Sequence, residues 1–174
     1  MLNESNKKIW TVFDKKEEKL LRSRVADFDF SRHSQKDIDE LIRFMRFMMI
    51  HYRGVGLSAN QIGLDMNVFV CQLPTADGKG YQGKFYSFFN PKITKTFGKK
   101  VADAEGCLSV PGYYGDTARY EQVTLEAYDK KGKPVTIKAQ GYLARIFQHE
   151  TDHLRGVLYI DSAKNIVQTH SHES

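Results

Sequence analysis

Proline is scarce in this chain, with 4 in 174 residues, and no stretch is enriched in proline, glycine or serine. No linker, repeat or low-complexity segment is therefore visible, and residues 1–174 are expected to form a single catalytic domain. The polar end, 162–174, is expected to be a flexible tail. Cysteine is scarcer still, with only Cys71 and Cys107. Two cysteines are too few for a disulfide scaffold, and a reduced, cytoplasmic protein fits them better than a cross-linked one. No apolar run approaches the roughly 18–20 residues that span a bilayer. The first eight residues carry neither the apolar segment of a secretory signal nor the Arg-rich pattern of a transit peptide, so no membrane association is expected. A long basic stripe is missing too. The formal charge is +5, from 26 basic and 21 acidic residues, but the basic residues fall in short pairs such as Lys99-Lys100 and Lys130-Lys131. That pattern reads as solvated surface, with no specific nucleic-acid platform, although a transient ribosome contact stays open.

What is present is an ordinary globular mix, 41% hydrophobic and 27% charged, long enough to bury a core. A short helix is expected near Lys15–Arg24. Residues 34–53 read as a long amphipathic helix. Ser34 is its N-cap and Asp37 lies three residues on, in the manner of a capping box. Ile38, Leu41, Ile42, Met45, Met48 and Met49 recur at helical spacing and predict one buried face. Gly54 and Gly56 are expected to end that helix. Met66–Leu73, Lys84–Phe89, Gln122–Tyr128 and Pro134–Ala139 read as strands, with a hairpin turn at Asp129–Gly132. Helical spacing returns over 141–154, with Gly156 as its stop. Strands bracketed by helices, without βαβ alternation, predict an α+β fold.

The chemistry concentrates in Gln148-His149-Glu150-Thr151-Asp152-His153. Two histidines four residues apart on a helix lie on one face, roughly 6 Å apart along the axis. That spacing suits two imidazoles on one ion, and the carboxylate of Glu150 follows the first of them, where a general base is needed. Ile146 shares their face and argues that both turn inward. A third ligand is required, and Cys107, in Glu105-Gly106-Cys107-Leu108-Ser109, is the best candidate, since a metal readily binds a thiolate. Cys71 sits in the apolar run Val68–Cys71 and reads as a small buried hydrophobe; a Cys71–Cys107 pairing is the lesser alternative. Gly54–Gly63 is a third element. Its glycines permit close backbone approach, and Gln61 can offer an amide to a developing oxyanion. By itself this stretch reads first as a helix–strand connector.

Taken in order, GVGLSANQIG (54–63), EGCLS (105–109) and QHETDH (148–153) resemble the three motifs of the peptide deformylase family. The resemblance implies an α+β fold of antiparallel or mixed sheets around a central metal-binding helix. It implies hydrolysis of the formyl group from N-formylmethionyl peptides. It assigns Cys107, His149 and His153 as metal ligands, Glu150 as general acid/base, and Gln61 with the Leu108 backbone N–H as oxyanion donors. Glu105 and Arg119 correspond to a supporting ion pair. Gly56 corresponds to the glycine beside the substrate backbone. Val55, Tyr142 and Ile146 fall where the family lines its methionine pocket, and the peptide would run beside the Val55 and Gly106 segments. One divalent ion per chain is implied, natively Fe2+, with Zn2+, Ni2+ and Co2+ also compatible with two nitrogens and a thiolate.

The chain departs from the family pattern in three places. Ser58 replaces the usual alanine, the usual Pro-Asp opening is echoed only faintly by Phe13-Asp14 before Leu20-Leu21, and too few residues follow Asp161 for the long C-terminal helix of many bacterial members to be expected in full. Rival readings stay open at this point. A zinc peptidase of the H-E-x-x-H kind would need a further ligand from His170, His172 or Glu173. A non-catalytic binder of formylated peptides would keep the cleft without turnover, and an RNA-binding module would rest on the basic charge alone.

Overall fold

The 17-residue helix α2 (Gln35–His51) begins where its caps dictate. The Ser34 hydroxyl accepts the Asp37 N–H at 3.2 Å, and the Asp37 carboxylate accepts the Ser34 N–H at 3.0 Å. Its apolar face, Ile38, Leu41, Met45, Met48 and Met49, is buried as the spacing predicts. The structure, a computed structural model, describes Leu2 and residues 4–169. Before α2 lies a short helix, α1 (Lys15–Leu21), capped by Asp14. The end of α2 differs from expectation. The left-handed residue that terminates it is Arg53, at φ 56°, and Gly54 closes the turn by donating to the Met49 carbonyl at 2.8 Å.

The strands are β1 (Gly56–Ser58), β2 (Val68–Pro74), β3 (Tyr81–Cys107), β4 (Val110–Tyr128), β5 (Pro134–Gln140) and β6 (Lys164–Gln168). They form one sheet in the order β1-β2-β3-β4-β5, with β6 on β4, and every pairing is antiparallel. Helix α3 (Gly141–His153) follows β5 directly. The fold is thus α+β. The turn at Asp129–Gly132 forms as read: Gly132 takes φ 73°, and the Asp129 carboxylate accepts the N–H groups of Lys131 and Lys133.

β2 is buried on both faces. Val68 and Val70 join Met45, Met48, Leu57 and Phe89 under α2. Phe69 and Cys71 join Phe88, Leu125, Ile146 and Phe147 under α3. This accounts for an unbroken apolar run where a half-buried strand would alternate, and it places α3 against a rigid platform.

Two expectations need correction. The strands read as Lys84–Phe89 and Gln122–Tyr128 are parts of the far longer β3 and β4. Residues 95–104 of that ribbon are exposed, so they show no alternation of apolar and polar residues. Bulges near Lys92, Lys95, Lys100 and Cys107 also shift its register. Within the expected tail, residues 164–168 form a strand. β6 pairs with Tyr113, Tyr114 and Asp116 of β4, Asn165 donates to Asp116, and Thr169 donates to the Gly112 carbonyl. Its Asn165-Ile166-Val167 core is short and exposed, which left only weak strand propensity to read. His170, His172 and Glu173 lie outside the described residues.

The cap gives a direct test. Ser34→Ala should destabilise the protein by about 1 kcal/mol, because the Asp37 N–H loses its acceptor and the Asp37 carboxylate loses the Ser34 hydroxyl. Chemical denaturation with an unchanged m-value should read this loss; an unchanged midpoint would show that the cap contributes nothing.

Candidate active site

Helix α3 sets the first part of the site. His149 and His153 stand one turn apart, with their Nε2 atoms 3.2 Å from each other. Cys107 enters from the tip of the β3–β4 ribbon, where it pairs with Val110, and its Sγ lies 3.1 Å from His153 Nε2. The three potential ligand atoms all fall within 4.8 Å of one another. Nitrogen and sulfur ligands at ordinary zinc-type distances in a tetrahedron lie roughly 3.3–3.8 Å apart, so the spacing fits one divalent ion. The surroundings agree. His149 Nδ1 faces Glu105 Oε2 at 3.0 Å, which leaves Nε2 as the inward lone pair, the usual support for a metal-bound imidazole. Cys71, in contrast, is fully buried in β2, and burial pushes its thiol up; both cysteines are free, so the pairing alternative fails.

Behind the histidines lies a buried ion network. Arg119, on β4, donates Nε to Glu105 Oε1 and Nη2 to Oε2, each at 3.0 Å. It also pairs with Asp152 of α3. Arg145, on α3, donates to Glu105 Oε1 at 2.7 Å. Burial pushes the Glu105 carboxyl up, but the hydrogen bonds from His149 and Arg119 outweigh it and bring it down to about 2. The supporting pair Glu105–Arg119 is therefore present, and it has two members the sequence reading missed. Arg145 lies one turn before His149, so the face argument that turned the histidines inward also applied to it. Asp152 lies three residues after His149 and carried no such signal.

Glu150 is 4% exposed, and burial pushes it up to about 7. A Cβ built on Gly56 would collide with its carboxylate, so only glycine lets β1 pass at this point. Gln61 is fixed at both ends of its amide. Its Oε1 accepts the Ser58 N–H at 3.0 Å, and its Nε2 donates to Ser109 Oγ at 3.2 Å and approaches Cys107 Sγ at 3.6 Å. Asn60, also missed, donates to the His153 carbonyl at 2.7 Å. A cavity of about 550 Å³ opens onto this arrangement. Val55, Gly56, Gly106, Tyr142 and Ile146 all line it, as do Gln61, Leu108, Cys107, His149 and Glu150. Arg119 does not; it stands behind Glu105.

The family model for polypeptide deformylase matches residues 8–169. The chain belongs to the peptide deformylase family. It is 44% identical over 131 residues to the peptide deformylase of Pelotomaculum thermopropionicum, covering 75% of this chain and 79% of the relative. Among solved structures, a probable peptide deformylase from Synechococcus phage S-SSM7 aligns at TM-score 0.76 and 35% identity, covering 88% of this chain and 97% of the other. A Met-Ala-Ser-bound class I type b peptide deformylase from Acinetobacter baumannii aligns at 0.79 and 26% identity, over 88% and 95%. The enzyme is thus a peptide deformylase, and the family's reaction is removal of the formyl group from nascent peptides. The peptidase reading has no need to be kept, because the three ligand atoms already converge without any residue beyond 169.

The contact between Gly56 and Glu150 can be tested. Gly56→Ala should leave the bound metal unchanged and lower turnover roughly a hundredfold, because the carboxylate must move to make room. Formate release and metal content measured on one sample decide it; wild-type turnover would show that the Glu150 position is not critical.

Proposed function

We propose that this chain removes formate from N-formylmethionyl peptides, using one divalent ion held by Cys107, His149 and His153. The observation that carries the reading is the convergence of these three ligand atoms beside the buried Glu150, at the floor of a cavity. When bound, the ion supplies Lewis acidity and makes water a nucleophile near neutral pH. Glu150 accepts the proton of the attacking water and passes it to the departing amine, so water and formamide become formate and a free N-terminus. The Gln61 amide and the Leu108 N–H donate to the oxygen that gains charge as the formyl carbon becomes tetrahedral. One such donor contributes roughly 3–4 kcal/mol to the transition state. Glu105, held by Arg119, keeps the His149 ring in position.

The peptide runs extended between the Val55–Gly56 and Gly106 segments, and its first side chain enters the cavity toward Tyr142 and Ile146. The Met-Ala-Ser carried by the Acinetobacter baumannii neighbour supports this use of the cleft. The resemblance favours Fe2+ as the native ion; Zn2+, Ni2+ and Co2+ suit the same ligands. We read residues 1–174 as a single catalytic domain acting in the cytoplasm on chains leaving the ribosome, with at most a transient ribosome contact and no specific nucleic-acid partner. No helix among the described residues is long and apolar enough to cross a membrane.

The test is formate release from formyl-Met-Ala-Ser by anaerobically purified protein, with metal quantified on the same sample. Glu150→Ala should retain the metal and lose roughly 10²- to 10⁴-fold in turnover, since a proton carrier is removed but no ligand. Full activity in that variant would exclude Glu150 as the base. Cys107→Ala should lose bound metal; equal metal content in wild type and variant would remove Cys107 from the ligand set.

A further inference from the structure

We propose that Arg53 is a specificity-determining residue, which makes the cleft favour formylated peptides that carry a carboxylate side chain at their third or fourth residue over those that carry an amine there. The proposal rests on the deformylase reading above. Arg53 follows the end of α2 and lines the substrate cavity together with Tyr52, Gly54 and Val55. It is exposed, so it stands at the rim.

The course of the peptide follows from burial. Glu150 marks the reacting end, because its carboxylate occupies the space beside Gly56. Beyond Gly56 in one direction lie Leu57 and Ser58, both fully buried, where no chain can pass. In the other direction burial falls from Gly56 through Val55 and Gly54 to the exposed Arg53. A bound peptide therefore leaves the reacting end toward Arg53. The three steps from Gly56 to Arg53 span at most roughly 10 Å. An extended peptide rises about 3.3 Å per residue, so its third and fourth residues come level with Arg53.

Charge decides what Arg53 receives there. Glu105 accepts from Arg145 at 2.7 Å and faces His149 Nδ1 at 3.0 Å, so these ionic groups of the cavity wall are paired with one another. The Arg53 guanidinium has no partner among the described residues. It offers donors and no acceptor, and a carboxylate can take two of them at once. The backbone that carries it is fixed. Arg53 N–H donates to the Ile50 carbonyl at 3.0 Å, Gly54 N–H to the Met49 carbonyl at 2.8 Å, and the Tyr81 hydroxyl to the Gly54 carbonyl at 2.7 Å. The left-handed φ of 56° is one that glycine and asparagine adopt more readily than arginine. The corner is thus held in place, and it carries a cation where the outgoing peptide passes.

The experiment compares kcat/KM of metal-loaded enzyme on formyl-Met pentapeptides in which one Glu, Gln or Lys is moved through positions two to five of an alanine background. The peptides are amidated, because a terminal carboxylate would offer Arg53 the same charge. In the wild type, Glu should exceed Gln roughly two- to fivefold at positions three and four, the worth of a solvated ion pair, and Lys should fall below Gln. The difference should sit in KM, because the pair is made equally in the ground and transition states. It should fade as salt rises toward about 1 M, where screening acts within roughly 3 Å. Arg53→Asn, which suits the left-handed backbone and removes the charge, should bring the three peptides together. Arg53→Glu should reverse their order, and Arg53→Lys should keep it. Arg43→Gln, which removes an exposed charge of α2 outside the cavity, should leave the wild-type ratios unchanged. A Glu preference that is equal at all four positions, or that Arg43→Gln weakens as much as Arg53→Asn does, would belong to the overall positive charge and overturn the proposal. So would a wild type that treats Glu and Lys alike. If wild type releases no formate from any peptide, the deformylase reading fails and the proposal with it.

Discussion

The Glu105 carboxylate takes two hydrogen bonds from Arg119, one from Arg145 and one from His149, and through them ties the end of β3 to β4 and α3. A carboxylate removed from water costs several kcal/mol unless donors replace the lost hydration. Here four N–H groups do so, and each comes from a residue with its own part in the site. The positions of Cys107, His149 and His153 are thus not set separately. They follow from one buried anion whose demand for partners fixes the ribbon tip, the imidazole ring and the cavity wall together.

The core explains why that anion has something firm to pull against. β2 presents Val68 and Val70 to α2 and Phe69 and Cys71 to α3, with no exposed face. Helix α3, which carries His149 and His153, therefore rests on a strand that is itself backed by a second helix. Such an interior is close-packed, and a displacement of α3 by a fraction of an ångström would be resisted by both layers.

Much of this was legible in the sequence, for identifiable reasons. α2 announced itself through the Ser34–Asp37 box and its Met-rich stripe, and both carried through to the structure. The three motifs named the family because each packs several constrained residues at fixed spacing, and Val55, Gly56, Gly106, Tyr142 and Ile146 all line one cavity. What stayed hidden was the ribbon over 95–104, since a strand exposed on both faces leaves no periodic trace. β6 was hidden because its partner, β4, lies about fifty residues earlier in the chain. Arg145 was hidden because an arginine on a helix is usually solvated, and only the carbonyls of Thr117 and Val101 with Glu105 make burial tolerable.

The ribbon has a mechanical side. β3 is exposed over 95–104, but the β4 residues opposite are not: Thr117, Arg119 and Val123 are buried, Gln148 of α3 bonds both the N–H and the carbonyl of Tyr120, and Arg145 donates to the Thr117 and Val101 carbonyls. The tip beyond carries Cys107. β6 clasps that tip through Tyr113, Tyr114 and Asp116. The ribbon is therefore anchored along one strand as well as at its tip. The outer strand β3 over 95–104 belongs to the segments that open most readily to solvent, while β4 shares the protection of the core. Cys107 is thus carried beside His149 and His153 by a strand that is bonded to their own helix.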